Sequence, residues 1–155
     1  MLNEKAVNGV FFPGQSLSGI NIAIGDQVVS IGVDNIDNIY EKLKPYGAEI
    51  TKSTGTKNLN LFDDDAIVLK EMPRKVTLES AKGSKKITVA FPDMDYLGFW
   101  HWPRVEVDYM CIEPWSSLPS RKDIVENLEK QENLLSLERG KEYLNRWSIT
   151  ISEKK

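Results

Sequence analysis

The sequence is poor in the residues that supply special chemistry or covalent staples. Among 155 residues there is one cysteine, Cys111, and one histidine, His101. A lone thiol forms no disulfide within the chain, so apolar packing must hold the fold, and a reducing, cytoplasmic compartment is the natural expectation. A lone histidine, with no cysteine cluster beside it, supplies too few ligands for a zinc site and gives no ground for a Ser/His/Asp triad. Asp63, Asp64 and Asp65 are consecutive but lack the spacing of a calcium loop, so they read as a solvated turn and no metal is expected. No glycine-rich phosphate loop, internal repeat or low-complexity segment occurs. No apolar run approaches membrane-spanning length, and the start lacks a charged region followed by an apolar one, so no membrane role is expected. The 20 basic and 23 acidic residues are interspersed, for a net charge of -3. That balance excludes the clustered basic face of a nucleic-acid binder.

What is present is one domain's worth of chain with an ordinary apolar fraction and four tryptophans, Trp100, Trp102, Trp115 and Trp147. Three of them fall between positions 100 and 115. Flat aromatic rings stack on the apolar C–H faces of a pyranose, although a single tryptophan is more often core filler.

Hydrophobic periodicity divides the chain near position 57. Residues 1–25 read as loops with one or two short strands, and 27–33 as a buried strand. Ile36, Ile39, Tyr40 and Leu43 follow helical spacing, with Asp34 or Asn35 to cap the start and Pro45 and Gly47 to stop it. The polar stretch 51–60 marks the main internal boundary. This gives an N-terminal segment of strand plus helix at 1–57 and a β-rich part at 58–155. In the latter, 66–70 is a short strand. Val76 and Leu78, then Ile87, Val89 and Phe91, alternate with polar neighbours around a hairpin turn at 81–84. Tyr143, Trp147, Ile149 and Ile151 share one parity of a last strand. Between this strand and the one before it, 120–133 reads as one short helix or helical turns, with Ser120 to Asp123 as a capping box. The expected fold is mostly β, an antiparallel sandwich with one or two short helices.

The chemistry-bearing stretch is 95–119. Alternation over 107–113 puts Val107, Tyr109, Cys111 and Glu113 on one face and Asp108, Met110 and Ile112 on the other. Glu113 then ends a strand directly before Pro114, which blocks further pairing and holds its neighbour extended. A carboxylate on a stiff element beside Trp115 suits a general base, and partial burial would raise its pKa toward that use. A hydrogen-bonded structural glutamate fits the same pattern. Cys111 reads as a small buried hydrophobe.

Three stretches then carry a likeness. They are Asn60 through Lys70, then Phe91-Pro92-Asp93-Met94-Asp95-Tyr96-Leu97-Gly98-Phe99-Trp100, and then Cys111-Ile112-Glu113-Pro114-Trp115-Ser116-Ser117-Leu118-Pro119-Ser120-Arg121. Together with Leu137-Glu138-Arg139-Gly140-Lys141-Glu142-Tyr143 and Trp147-Ser148-Ile149, they resemble the C-terminal part of bacterial aldose 1-epimerases, the galactose mutarotase-like proteins, over about residues 58–151. The resemblance implies part of a β-supersandwich that interconverts the α and β anomers of a free aldose without metal or organic cofactor. It places the general base at Glu113 and sugar contacts at Trp100, Trp115 and Asp65. The family's acid is a histidine in the preceding half, and residues 1–57 contain none; His101 is the substitute the chain offers. Two expectations follow: a C-terminal portion of a split or truncated epimerase, or a carbohydrate-binding or structural domain without the chemistry. The expected partners are a monosaccharide and either a second copy, through exposed sheet edges, or a complementary N-terminal half.

Overall fold

A computed structural model describes residues 9–11, 20–31, 36–47, 62, 65–80, 83–103, 109–119, 125–131 and 134–154. The capping candidates Asp34, Asn35 and Ser120 to Asp123, the boundary stretch 51–60, and Asp63 and Asp64 lie outside them. The strands are β1 (Gly9–Phe11), β2 (Ile20–Ile24), β3 (Gln27–Ile31), β4 (Ile67–Leu69), β5 (Lys75–Ser80), β6 (Lys85–Ala90), β7 (Tyr96–Trp100), β8 (Tyr109–Trp115) and β9 (Ser148–Glu153). One helix, α1 (Ile36–Leu43), follows β3 and runs into a 3-10 turn at Lys44–Tyr46.

The strands make two antiparallel sheets, one in the order β1-β8-β7-β4 and the other β3-β2-β5-β6-β9. Alternation explains how they stack. In the first sheet Ile67, Leu69, Leu97, Phe99, Met110 and Ile112 are buried; in the second Ile22, Ile24, Val29, Val76, Leu78 and Val89 are buried, and all join one core. The molecule is thus a mostly antiparallel sandwich, as the residue pattern predicts. Strands from both sides of position 57 share each sheet, since β1 pairs with β8 and β2 with β5.

Local signals account for the joints. Gly25 has φ 55° as the first residue of a two-residue loop between Ile24 and its partner Gln27, the conformation a type II′ hairpin requires. At eight residues α1 is too short to persist alone. Its buried Ile39 and Leu43 join the core, at about 1.5–3 kcal/mol each, which outweighs the ~1 kcal/mol of any cap. Tyr46 then donates its hydroxyl to Ile24 O at 3.0 Å, and its carbonyl accepts from Lys70 N at 2.8 Å, tying the helix end to both sheets.

Three expectations need correction. The 27–33 segment is not wholly buried: in its described part, 27–31, the strand's alternation turns Val29 into the core and leaves Val28 exposed. Pro114 does not end its strand; β8 continues to Trp115, with Pro114 opposite Leu97. Among the described residues β1 pairs with β8 as far as Cys111, and a residue without N–H is tolerated in a strand where no partner needs that donor. Finally, β9 begins only at Ser148, so Tyr143 and Trp147 precede the strand expected to hold them, while Ile149 lies opposite Val89 and Ile151 opposite Ile87. Yet both isoleucines, on the core-facing parity, stay 48% and 66% exposed. The described part of 120–133 contains turns at 128–130 and no helix.

Candidate functional site

The two outer faces of the sandwich differ in kind. The second sheet turns Asn21, Ser30, Thr77 and Thr88 outward. Ser30 Oγ donates to Asn21 Oδ1 at 2.7 Å, and the hydroxyls of Thr77 and Thr88 lie 2.9 Å apart. That is a wet face with its hydrogen bonds made locally. The first sheet turns outward the residues that alternate with its core set: Val68 on β4, Tyr96, Gly98 and Trp100 on β7, and Cys111, Glu113 and Trp115 on β8. This face is aromatic, with one carboxylate at its middle. The sheet register, rather than sequence proximity, brings these residues together.

Gly98 is the centre of the arrangement. It lies opposite Glu113 on β8 and opposite Val68 on β4. A Cβ placed on Gly98 would come within 3.2 Å and 3.3 Å of the Trp115 benzo ring and 3.5 Å of Glu113 Cβ. The Trp115 indole therefore leans diagonally across the strand pair and covers the glycine, which is buried as a result. A strand-interior glycine weakens the strand by about 0.5–1 kcal/mol; here it makes room for close ring approach. Glu113 and Trp115 are both half-buried on one side of β8, and the strand fixes their separation.

Trp100 is also half-buried, opposite Cys111, and packs edge-on against the exposed Trp102 with centroids 5.8 Å apart. Cys111 is buried, as its setting predicts. His101 is placed differently. It is 1% exposed and in ring contact with Phe62, a core residue, at 5.6 Å and with Tyr109 at 6.0 Å. It packs with these rings rather than joining the Gly98–Glu113–Trp115 group. Asp65 is exposed just before β4, with φ 100°, and its Oδ1 accepts from Ala66 N at 2.9 Å. Aspartate tolerates such a φ better than most side chains because it can bond locally. The fold thus joins Glu113 with Trp115, sets Trp100 two residues along β7, and leaves His101 and Asp65 beyond the end of that group. Among the described residues, no cluster of His, Cys, Asp and Glu could hold a metal.

Sequence reasoning did not single out Gly98, although a glycine between Tyr96 and Trp100 in an apolar strand is the signal of a close approach. It also passed over the anchors around the site. The turn entering β7 is fastened by two arginines. Arg74 donates to Asp95 O at 2.6 Å and Asp95 Oδ1 at 2.7 Å. Arg146 grips both carboxylate oxygens of Asp93, from Nε at 2.7 Å and from its terminal nitrogen at 2.9 Å. That hydrogen-bonded guanidinium holds the Asp93 carboxyl below its ordinary pKa range, and the carboxylate raises that of Arg146.

No protein-family model matches this chain, and no curated protein matches it. Among solved structures it is similar to the galactose mutarotase related enzyme of Lactobacillus acidophilus, with a TM-score of 0.65 and 20% identity. The similarity covers 94% of this chain and 50% of that one, so the chain spans about half the length of the structure it matches. At that identity the likeness is one of fold: the two-sheet sandwich is mutarotase-like. Among the described residues, no helix is long and apolar enough to cross a membrane.

Proposed function

We propose that the outer face of the β1-β8-β7-β4 sheet binds a free aldose and that Glu113 serves as general base in exchanging its anomers. One observation carries this reading: the Trp115 indole lies over Gly98 and half-buried Glu113 stands opposite that glycine in the register, in a fold similar to that of a galactose mutarotase related enzyme. The indole offers a flat surface to the C–H face of a pyranose. The carboxylate beside it takes the proton of the anomeric hydroxyl while an acid protonates the ring oxygen. The ring opens to the aldehyde, the C1–C2 bond rotates, and reclosure returns both protons and yields the other anomer. Trp100 extends the apolar wall, and Asp65 is the further group proposed to reach sugar hydroxyls.

A positioned proton-transfer group contributes about 10²–10⁴-fold to such a reaction. NMR exchange or polarimetry on freshly dissolved α-D-galactose or α-D-glucose measures it directly. Glu113→Gln is expected to lower the catalysed rate at least ~100-fold while sugar still quenches or enhances tryptophan fluorescence. An unchanged rate in that variant removes Glu113 from the role of base.

The burial of His101, the only histidine in the chain, favours a second reading, a carbohydrate-binding domain that does not supply its own acid. The same titration separates the two: binding without anomer exchange selects the second. If His101 acts as the acid despite its setting, His101→Gln lowers exchange as Glu113→Gln does.

A further inference from the structure

Residues 134–147 contain neither helix nor strand and are exposed almost throughout. Apolar burial therefore does little to place them, and a segment so placed follows its polar anchors. Those anchors converge. Leu135 N donates to Ser117 Oγ at 2.8 Å and Asn145 Nδ2 to Ser116 Oγ at 3.3 Å, so two points ten positions apart are tied to adjacent serines that directly follow Trp115. Tyr143 donates its hydroxyl to Asp93 O at 2.9 Å. Arg146 adds its backbone N–H, at 3.0 Å from Asp93, to its two side-chain bonds. Asp93 stands in the turn that leads into β7, whose Tyr96 is opposite Trp115. All of these ties meet at the Trp115 end of the β7–β8 pair. Between them the strap projects a turn in which Lys141 N donates to Glu138 O at 3.0 Å, with Gly140 at φ 77° and nothing packed against it.

We infer that the 135–146 strap is a rim of the sugar site and that Asp93 and Arg146 are its positioning pair. The clasp holds the exposed polar turn of Glu138, Arg139 and Lys141 at the edge of the Glu113 face, where these groups meet the hydroxyls of a bound aldose remote from C1. An isolated exposed ion pair contributes little. A bidentate pair with a third bond to the backbone instead fixes geometry, and the strap has few apolar contacts to substitute for it. The inference rests on the proposed aldose site, and its test separates the two.

Trypsin cleavage after Arg139 and Lys141 reads the strap directly, and tryptophan fluorescence with D-galactose and D-glucose reads binding. Asp93→Asn is expected to speed cleavage and weaken sugar affinity, each by about tenfold, with KM rising and kcat preserved if exchange is catalysed. Arg146→Lys, which keeps the charge but loses the fork, is expected to fall between wild type and Arg146→Gln. Saturating sugar is expected to slow cleavage of the wild-type strap. Faster cleavage with unchanged sugar affinity overturns the rim role, and unchanged cleavage overturns the clasp. Wild-type protein whose fluorescence ignores both sugars overturns the aldose site itself, and the rim with it.

Discussion

At the residue scale the decisive position is Gly98. Its lack of a side chain lets the Trp115 ring lie across the strand beside Glu113. Gly98→Ala sets a methyl at 3.2 Å from that ring, so the indole must shift by a few tenths of an ångström. Overpacking of this kind costs about 1–3 kcal/mol, against a gain of about 0.5–1 kcal/mol from replacing a strand glycine. Gly98→Ala is therefore expected to lower stability only slightly while weakening sugar binding several-fold. Gly98→Val is expected to lower both. Chemical denaturation alongside fluorescence titration checks the pair, and full sugar affinity in Gly98→Val would remove Trp115 from the site.

Residue identity alone made part of this legible. The alternation over 107–113 correctly set Cys111 and Glu113 on one face and Met110 and Ile112 on the other, because a strand has period two wherever it occurs. The end of that strand was misjudged. Pro114 breaks pairing only where its missing N–H would face a partner, and whether a partner strand reaches that point depends on β1, far away in sequence. His101 posed a similar limit. Local sequence gave its tryptophan neighbours, whereas its burial against Phe62 and Tyr109 arises from segments distant in the chain.

Among the elements, the strap differs from the strands in what holds it. The strands are fixed by ladders and buried side chains, the strap by Asp93 and a few hydroxyls. That difference gives a pH dependence. The hydrogen bond from Arg146 lowers the pKa of Asp93 in the folded chain, so the clasp contributes fully above the unfolded carboxylate value of about 3.9. Its contribution is lost as pH falls through the lower folded value. Arg146 stays charged throughout. The strap is expected to remain fastened at pH 5 and to release only below the ordinary carboxylate value. The Arg146 Nε–H resonance, followed by NMR during acid titration, reports this. Release midway between pH 5 and 6 would contradict it.

Helix α1 teaches the complementary lesson. Its spacing and its Pro45-Gly47 stop were plain in the sequence, because a 3.6-residue period and helix-ending residues are local properties. What it does was not plain. The helix closes the apolar space lined by Ile24, Ile67 and Phe99 of the two sheets and by Phe62.

On the scale of the whole molecule, the second sheet has five strands and the first four among the described residues. β9 extends past the cover. Its end is anchored, since Lys154 N donates to Ser84 O at 2.6 Å and Lys154 Nζ to Ser80 O. Among the described residues its outer edge is nevertheless unpaired, and Ile149 and Ile151 are exposed. An open edge with an apolar stripe is a template for pairing, so we expect concentration-dependent self-association that Ile151→Lys reduces. Sedimentation velocity over a concentration series checks this, and a monomer at every concentration in the wild type refutes it.

The sequence by itself determined the class of structure: strands where residues alternate, a helix where Ile36, Ile39, Tyr40 and Leu43 recur at helical spacing, and an aromatic stretch in which Glu113 shares a strand face with Cys111. These are properties of near neighbours, set by backbone geometry and the burial of apolar side chains. Only the tertiary structure decided that Gly98 and Glu113 stand opposite one another, that His101 is enclosed, and that the core-side residues of β9 lack a cover. Each of these depends on which distant segments pair and how far each sheet reaches. Register and layer size are collective properties of the packed chain, and no local pattern encodes them.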